Sequence, residues 1–232
     1  MKYFTLLFCL VQVAAVSQPE MSAAEKLFSQ GQYQQAQTEF EKIVAQQPEN
    51  LKALERLGDI HCLFKDWESG MKYYKRLKKI QPSEATYHYK YGGALGMYAK
   101  ECNKFKALGL IGEIRKSFEN AIALNPKHLE ARWALIELYL QLPGVVGGSE
   151  SKAQRYASEL ERLSAVDGYL AKGRIAEYFD RFITAEKYYK RAVEVGRSKI
   201  CYQKLADLYK NKMNQPEKAR ATWAEFSNKN KS

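Results

Sequence analysis

The chain has 232 residues, of which 46% are hydrophobic, and only 6 are prolines and 14 glycines. This composition excludes a largely disordered chain and a collagen-like or linker-dominated one, because enough apolar side chains are present to form a buried core. The 37 Lys and Arg residues exceed the 26 Asp and Glu residues, which gives a formal net charge of +11.

The amino terminus has the pattern of a secretory signal peptide over residues 1–17. Lys2 precedes a nearly unbroken apolar run over residues 3–16, and the small residue Ser17 stands just before Gln18. This run is too short for a membrane span, which needs about 20 residues. We therefore expect cleavage and an exported mature chain without a transmembrane segment, either periplasmic in a bacterium or secreted. The alternative is an amino-terminal helix that packs against the rest of the chain.

Removal of a signal peptide would leave three cysteines, Cys62, Cys102 and Cys201. Their spacing matches no CxxC or zinc-ligand pattern, and three is far below the count of a disulfide-framed domain. We expect them to be mostly buried small residues. One disulfide in an oxidising compartment, of unspecified pairing, is the alternative.

After residue 17, the sequence has an internal repeat with a period of 34 residues. Pro48 and Pro82 are 34 residues apart and end the similar segments IVAQQP and LKKIQP. Small and bulky residues recur at equal distances before each proline. These are Gly31, Tyr33, Ala36 and Phe40 before Pro48, and Lys65, Trp67, Gly70 and Tyr74 before Pro82.

The second period has the pattern of a helical hairpin. Its first half places Leu54 and Leu57 on one helical face, and its second half places Trp67 and Tyr74 on another. Glycines in both halves allow the helices to approach closely, and Pro82 ends the second helix because it lacks an amide hydrogen. One hairpin cannot bury its outer apolar surface, so successive hairpins are expected to stack.

These residues resemble the tetratricopeptide repeat, a 34-residue pair of antiparallel helices. The resemblance covers nearly all of residues 18–232 and implies an all-α, right-handed solenoid of about six repeats. The third repeat carries about ten extra residues, and the sixth slips in register by one residue. The approximate units are 18–50, 51–84, 85–126, 127–165, 166–199 and 200–232.

Catalytic and metal-binding patterns are weak. In the fourth unit, residues 144–149 are glycine-rich but lack the GxxxxGK[ST] spacing of a phosphate loop, and they follow a helix. We expect Pro143 to end one helix and Ser149 or Ser151 to cap the next, with an edge contact for a partner as an alternative. The three histidines are isolated, and no serine has a GxSxG context. The sequence therefore predicts no catalytic residue, metal or cofactor, and a hydrolase or transferase site around Gly144 is a weak alternative.

The resemblance implies that a protein or peptide partner binds in the concave groove along the first helices. Aromatic and arginine side chains are favoured at such interfaces. Packing between repeats is the alternative role for each of these residues. The predicted groove residues are Arg56, Asp59, Tyr89, Met97, Trp133, Glu137, Arg174 and Tyr178.

The positive charge is absent from the first unit and concentrates in later ones, including the clusters at residues 72–79 and 187–191. Both clusters lie in second helices, whose outer face is expected to be solvated. The sequence thus predicts a non-catalytic scaffold or assembly factor that binds a protein partner and no nucleic acid. The alternative is an electrostatic binder of acidic polymers or anionic membrane surfaces, through the basic carboxyl-terminal repeats.

Overall fold

The computed structural model describes residues 18–229, and the predicted signal peptide lies outside the described residues. All regular elements within this range are helical: twelve α-helices and one short 3-10 turn, Gly144–Val146. The α-helices are α1 (Gln18–Ser29), α2 (Tyr33–Gln46), α3 (Leu51–Leu63), α4 (Trp67–Ile80), α5 (Ala85–Glu101), α6 (Lys104–Leu124), α7 (Leu129–Gln141), α8 (Glu150–Leu163), α9 (Ala165–Tyr178), α10 (Phe182–Gly196), α11 (Lys199–Asn211) and α12 (Pro216–Lys229).

The helices pair in chain order into six hairpins, which confirms the predicted all-α array of about six repeats. The chain divides into two compact units, Met1–Pro82 and Ser83–Ser232. The described part of the first unit holds the hairpins α1–α2 and α3–α4. The second unit holds the four hairpins from α5 to α12.

Prolines end the second helices of the first three hairpins. Helix α2 ends at Gln46, α4 at Ile80 and α6 at Leu124, in each case two residues before a proline. A proline cannot donate the next helical hydrogen bond, and it also disfavours a helical conformation of the residue before it. The role predicted for Pro82 is confirmed, and Pro48 and Pro126 share it.

Glycine in a first helix makes room for an aromatic ring of the second helix. A Cβ atom added to Gly58 would lie 2.5 Å from Cε1 of Tyr74, and one added to Gly173 would lie 2.4 Å from Cε1 of Tyr189. Both rings are buried, with 4% of Tyr74 and 0% of Tyr189 exposed. The close approach predicted for Gly58 is confirmed, and the same arrangement recurs in the fifth repeat.

The turn inside five of the hairpins contains one residue with a left-handed backbone. These residues are Gly31, Lys65, Gly147, Asp180 and Asn214, with φ of 74°, 62°, 106°, 55° and 53°. In the first of these turns, the amide of Gln32 donates to the carbonyl of Leu27 and closes the end of α1. Such a C-terminal closure requires positive φ, which glycine adopts at least cost.

The extra residues of the third repeat lengthen its helices. Helix α5 has 17 residues and α6 has 21, compared with 13 in α3 and 14 in α4. The first buried residue of α6 is Ile114, ten residues after its start at Lys104. The insertion therefore extends the far end of this hairpin as helix.

Candidate partner-binding face

An ion pair joins the first helices of the fourth and fifth repeats. Arg174 on α9 donates from Nε and Nη2 to the two carboxylate oxygens of Glu137 on α7, over 2.9 and 3.1 Å. Burial acts to lower the pKa of Arg174, but the hydrogen bond and negative charge of Glu137 outweigh it and leave that pKa raised. The side chains are 30% and 32% exposed, so the pair is accessible from solvent.

A second bond joins the same two helices, one turn earlier on α7 and two turns earlier on α9. The indole Nε1 of Trp133 donates to Oδ1 of Asp167 over 2.9 Å. The other oxygen of Asp167 accepts from the hydroxyl of Ser164, the residue that caps α9. Because Trp133 precedes Glu137 on α7 and Asp167 precedes Arg174 on α9, the two helices run parallel. Their side chains thus form one continuous face, which we call the α7–α9 face.

Aromatic rings extend this face towards the end of α9. The guanidinium carbon of Arg174 lies 5.5 Å from the ring centre of Tyr178. Tyr178 also makes an edge contact with Phe179, with ring centres 5.2 Å apart. Each of these two aromatic residues is 40% exposed, which leaves apolar surface beside the ion pair.

The two predicted groove residues on α5 have different surroundings. Tyr89 is half-buried, and its ring centre lies 6.0 Å from that of Phe118 and 5.0 Å from that of His128. Burial raises the pKa of Tyr89. Met97 is 38% exposed near the end of α5. Tyr89 therefore packs against α6 and the start of α7, whereas Met97 is open to solvent.

Arg56 and Asp59 belong to the first unit. Arg56 on α3 donates from Nε and Nη2 to Glu25 on α1, over 2.8 and 3.1 Å, and lies 4.6 Å from the ring centre of Phe28. The hydrogen bond from Arg56 is the main cause that lowers the pKa of Glu25. Asp59 accepts a hydrogen bond from the hydroxyl of Tyr74 over 2.7 Å. As on the α7–α9 face, an arginine and a glutamate bridge successive first helices.

Four of the eight predicted groove residues thus lie together on the α7–α9 face: Trp133, Glu137, Arg174 and Tyr178. Their role in binding a partner stays a prediction. Sequence reasoning did not identify Glu25 and Asp167, the partners of Arg56 and Trp133. The repeat period contained a signal for the second of these, since Trp133 and Asp167 are 34 residues apart.

The glycine-rich loop of the fourth repeat folds onto the end of α7. Ser149 accepts a hydrogen bond from the amide of Lys152 and caps α8, as predicted. Four of the loop's amides donate to backbone carbonyls, so these four are not presented to a phosphate. The amides of Val146, Gly147, Gly148 and Ser149 donate to the carbonyls of Pro143, Gly144, Pro143 and Tyr139, over 3.0 to 3.1 Å.

Other sequence features have been located within residues 18–229. Of the three cysteines in this range, Cys201 is buried, whereas Cys62 and Cys102 are partly exposed. Burial is therefore wrong for Cys62 and Cys102, which lie near the ends of α3 and α5. In the same range, no cluster of three or more His, Cys, Asp or Glu side chains is arranged to hold a metal ion.

The two basic clusters on second helices are solvated, as expected. Tyr74 and Tyr189 within them are buried in the hairpins, while the cationic side chains around them are largely exposed. Across residues 18–229, the helices lack the combination of length and hydropathy that a membrane span requires.

Comparison with known proteins identifies the fold. Residues 27–92 match the tetratricopeptide repeat family. The structure is similar to a thermophilic TPR protein of Thermus thermophilus, at 16% identity and a TM-score of 0.65, over 82% of this chain and 97% of that chain. A tetratricopeptide repeat protein of Parabacteroides merdae is similar at 17% identity and a TM-score of 0.64, over 90% and 77% of the two chains.

A third similar structure is that of YrrB, described as a TPR protein with an unusual peptide-binding site. It shares 14% identity and a TM-score of 0.55, over 80% of this chain and 89% of that chain. No curated protein matches the sequence. The described helices thus have the tetratricopeptide-repeat fold, and the family match covers residues 27–92.

Proposed function

We propose that this protein is a non-catalytic scaffold or assembly factor that binds a peptide segment of another protein on the α7–α9 face. The observation that carries the proposal is the pair of bridges between parallel first helices, Glu137–Arg174 and Trp133–Asp167. They hold charged and aromatic groups in place before a partner arrives, which reduces the ordering cost of binding. Tetratricopeptide repeat proteins generally act as protein-interaction scaffolds, and the similarity to YrrB supports a peptide as the ligand class.

The chemistry of the face suits an extended peptide. Arginine has five N–H donors, and Glu137 accepts from only two of its nitrogens, Nε and Nη2. The remaining N–H donors of Arg174 are available to bind a carbonyl or carboxylate oxygen of the ligand. The exposed rings of Tyr178 and Phe179 provide a surface for an apolar side chain beside that contact.

We also propose that the protein acts in an exported compartment, either the periplasm or the extracellular space. The support is the order of charged, apolar and small residues over residues 1–17. Intact-mass spectrometry of the protein expressed with its own amino terminus tests this. A mature chain beginning at Gln18 supports export, and a chain that retains residues 1–17 contradicts it.

A photo-crosslinking amino acid at position 178, in cells that make the protein, tests the proposed face. We expect a specific adduct with one partner, and we expect Arg174→Gln to reduce it. The matched control places the crosslinker at position 191, an exposed site on α10. Tyr178 is more suitable than Trp133 for this experiment because Trp133 packs against the core of the second unit. The same adducts from positions 178 and 191 would contradict the assignment.

A further inference from the structure

The end of the third hairpin is a surface that the peptide-binding proposal does not use. We call residues 97–112 the hairpin tip; it comprises the last residues of α5, the turn and the first residues of α6. None of its residues is buried. Phe105 is 89% exposed and Leu108 is 47% exposed, although both are large apolar side chains.

The tip extends beyond the packed part of its hairpin. The last buried residue of α5 is Leu95, and the first of α6 is Ile114. Ile114 is ten residues after Lys104, which corresponds to about 15 Å of helix at 1.5 Å per residue. The tip is therefore a projecting element that can reach a flat surface.

The start of α6 is amphipathic in a specific way. At 100° per residue, Phe105, Leu108 and the two glycines Gly109 and Gly112 share one face. A Cβ atom added to either glycine would meet nothing within 4 Å, so this apolar stripe is open and smooth. Lys104 and Lys106 lie on the two sides of the stripe, because each is one residue from Phe105.

The charge of the tip is positive. It contains the three lysines Lys100, Lys104 and Lys106 and one acidic residue, Glu101, so its formal charge is +2. Lys106 hydrogen-bonds the hydroxyl of Tyr98 and lies 4.6 Å from the centre of its ring, which holds a cation beside an aromatic ring. An apolar stripe between lysines is the arrangement by which helices lie at the surface of an anionic bilayer.

We propose that the hairpin tip docks on an anionic phospholipid surface. Phe105 and Leu108 enter the boundary between headgroups and acyl chains, and the lysines bind lipid phosphates while their methylene stems cover apolar surface. A second copy of this chain is a poorer occupant because two tips of charge +2 repel each other. The proposal rests on charge and exposure in the third hairpin and is independent of the α7–α9 face.

Vesicle flotation tests the proposal. The protein is purified from cells with the amino terminus that cellular processing leaves on it. We expect binding to phosphatidylcholine vesicles that contain one third phosphatidylglycerol, weak binding to phosphatidylcholine alone, and release by salt. The double variant Phe105→Ser, Leu108→Ser should bind at least about tenfold less, and Lys104→Gln about fivefold less. The matched control is Val195→Ser, Ile200→Ser, which alters residues that are 54% and 51% exposed elsewhere and should bind as the wild type does.

A spectroscopic variant reports insertion directly. The emission of Phe105→Trp should shift to the blue, and brominated acyl chains should quench it, with anionic vesicles only. Unchanged circular dichroism is expected for all variants, since these side chains are exposed. No binding to anionic vesicles at low salt would overturn the proposal, as would equal binding by the Phe105→Ser, Leu108→Ser variant. A dimer in analytical ultracentrifugation that requires Phe105 would assign the tip to a second copy instead.

Discussion

The glycine at the crossing of α9 and α10 gives the sharpest test of the packing. In the variant Gly173→Ala, the new Cβ would lie 2.4 and 2.5 Å from ring carbons Cε1 and Cδ1 of Tyr189. The ring cannot move away easily, because it is fully buried and its hydroxyl donates to Glu177 over 2.7 Å. One helix or one ring must therefore shift to accept a single methyl group.

The expected loss follows from two opposing terms. Extra volume in a packed core costs about 1–3 kcal/mol, and a clash with a buried ring belongs at the upper end of that range. Replacing a helical glycine by alanine returns about 1 kcal/mol of helix propensity. We therefore expect Gly173→Ala to lower the free energy of unfolding by about 2 kcal/mol.

The matched control is the same substitution in α5. A Cβ atom on Gly93 would meet nothing within 4 Å, so Gly93→Ala should raise the free energy of unfolding by about 0.5–1 kcal/mol. Urea denaturation followed by circular dichroism measures both variants. In a background that carries Tyr189→Leu, the further change Gly173→Ala should cost less free energy than it does in the wild type. That difference would show that the ring is responsible. If Gly173→Ala is as stable as the wild type, the packing argument is refuted.

Three further predictions concern the turns and the ion pairs. Lys65→Gly should raise the free energy of unfolding by about 1 kcal/mol in urea denaturation, because residue 65 has φ of 62°; a decrease would contradict this. A double-mutant cycle with Glu137→Gln and Arg174→Gln should give a coupling energy of about 0.5–1 kcal/mol, since both groups are about one third exposed, and zero coupling would show that the bridge contributes nothing. Because Arg56 lowers the pKa of Glu25 below 4.5, the stability from that pair is complete above the unfolded pKa and lost as pH falls through the folded one. The unfolding free energy of Glu25→Gln should therefore fall less than that of the wild type as the pH is lowered. Unfolding at a series of pH values between neutral and acid measures this.

The helical repeat could be predicted because its determinants are local. Glycine opposite an aromatic ring and proline two residues after a helix depend on sequence spacing alone, as at Gly58, Tyr74 and Pro82. The period also specifies which residues lie on first helices. Hence the sequence identified Trp133, Glu137 and Arg174 as candidates before their contacts were known.

The two arginine–glutamate ion pairs could not be predicted in the same way, whereas Trp133 and Asp167 do follow the period. Glu137 and Arg174 are 37 residues apart, and Glu25 and Arg56 are 31 apart, so neither pair follows the 34-residue period. Their contacts depend on how far one helix is displaced along its neighbour, which core packing decides. Similarly, the proline spacing predicted extra residues in the third repeat but not that they extend its helices, so the exposed Phe105 could not be recognised as part of a tip.

The two proposed surfaces make separable predictions because they use different hairpins. Phe105→Ser with Leu108→Ser alters the third hairpin, whereas the crosslinker at position 178 reports on α9 in the fifth. The tip variant should therefore lose vesicle binding and retain the adduct formed from position 178. Arg174→Gln should lose the adduct and retain vesicle binding. Arg174 is on the fifth hairpin and pairs with Glu137 on the fourth, so neither residue belongs to the hairpin tip. If either variant removed both activities while its circular dichroism and unfolding free energy stayed unchanged, a single surface would be responsible, and the separation of peptide binding from lipid docking would be wrong.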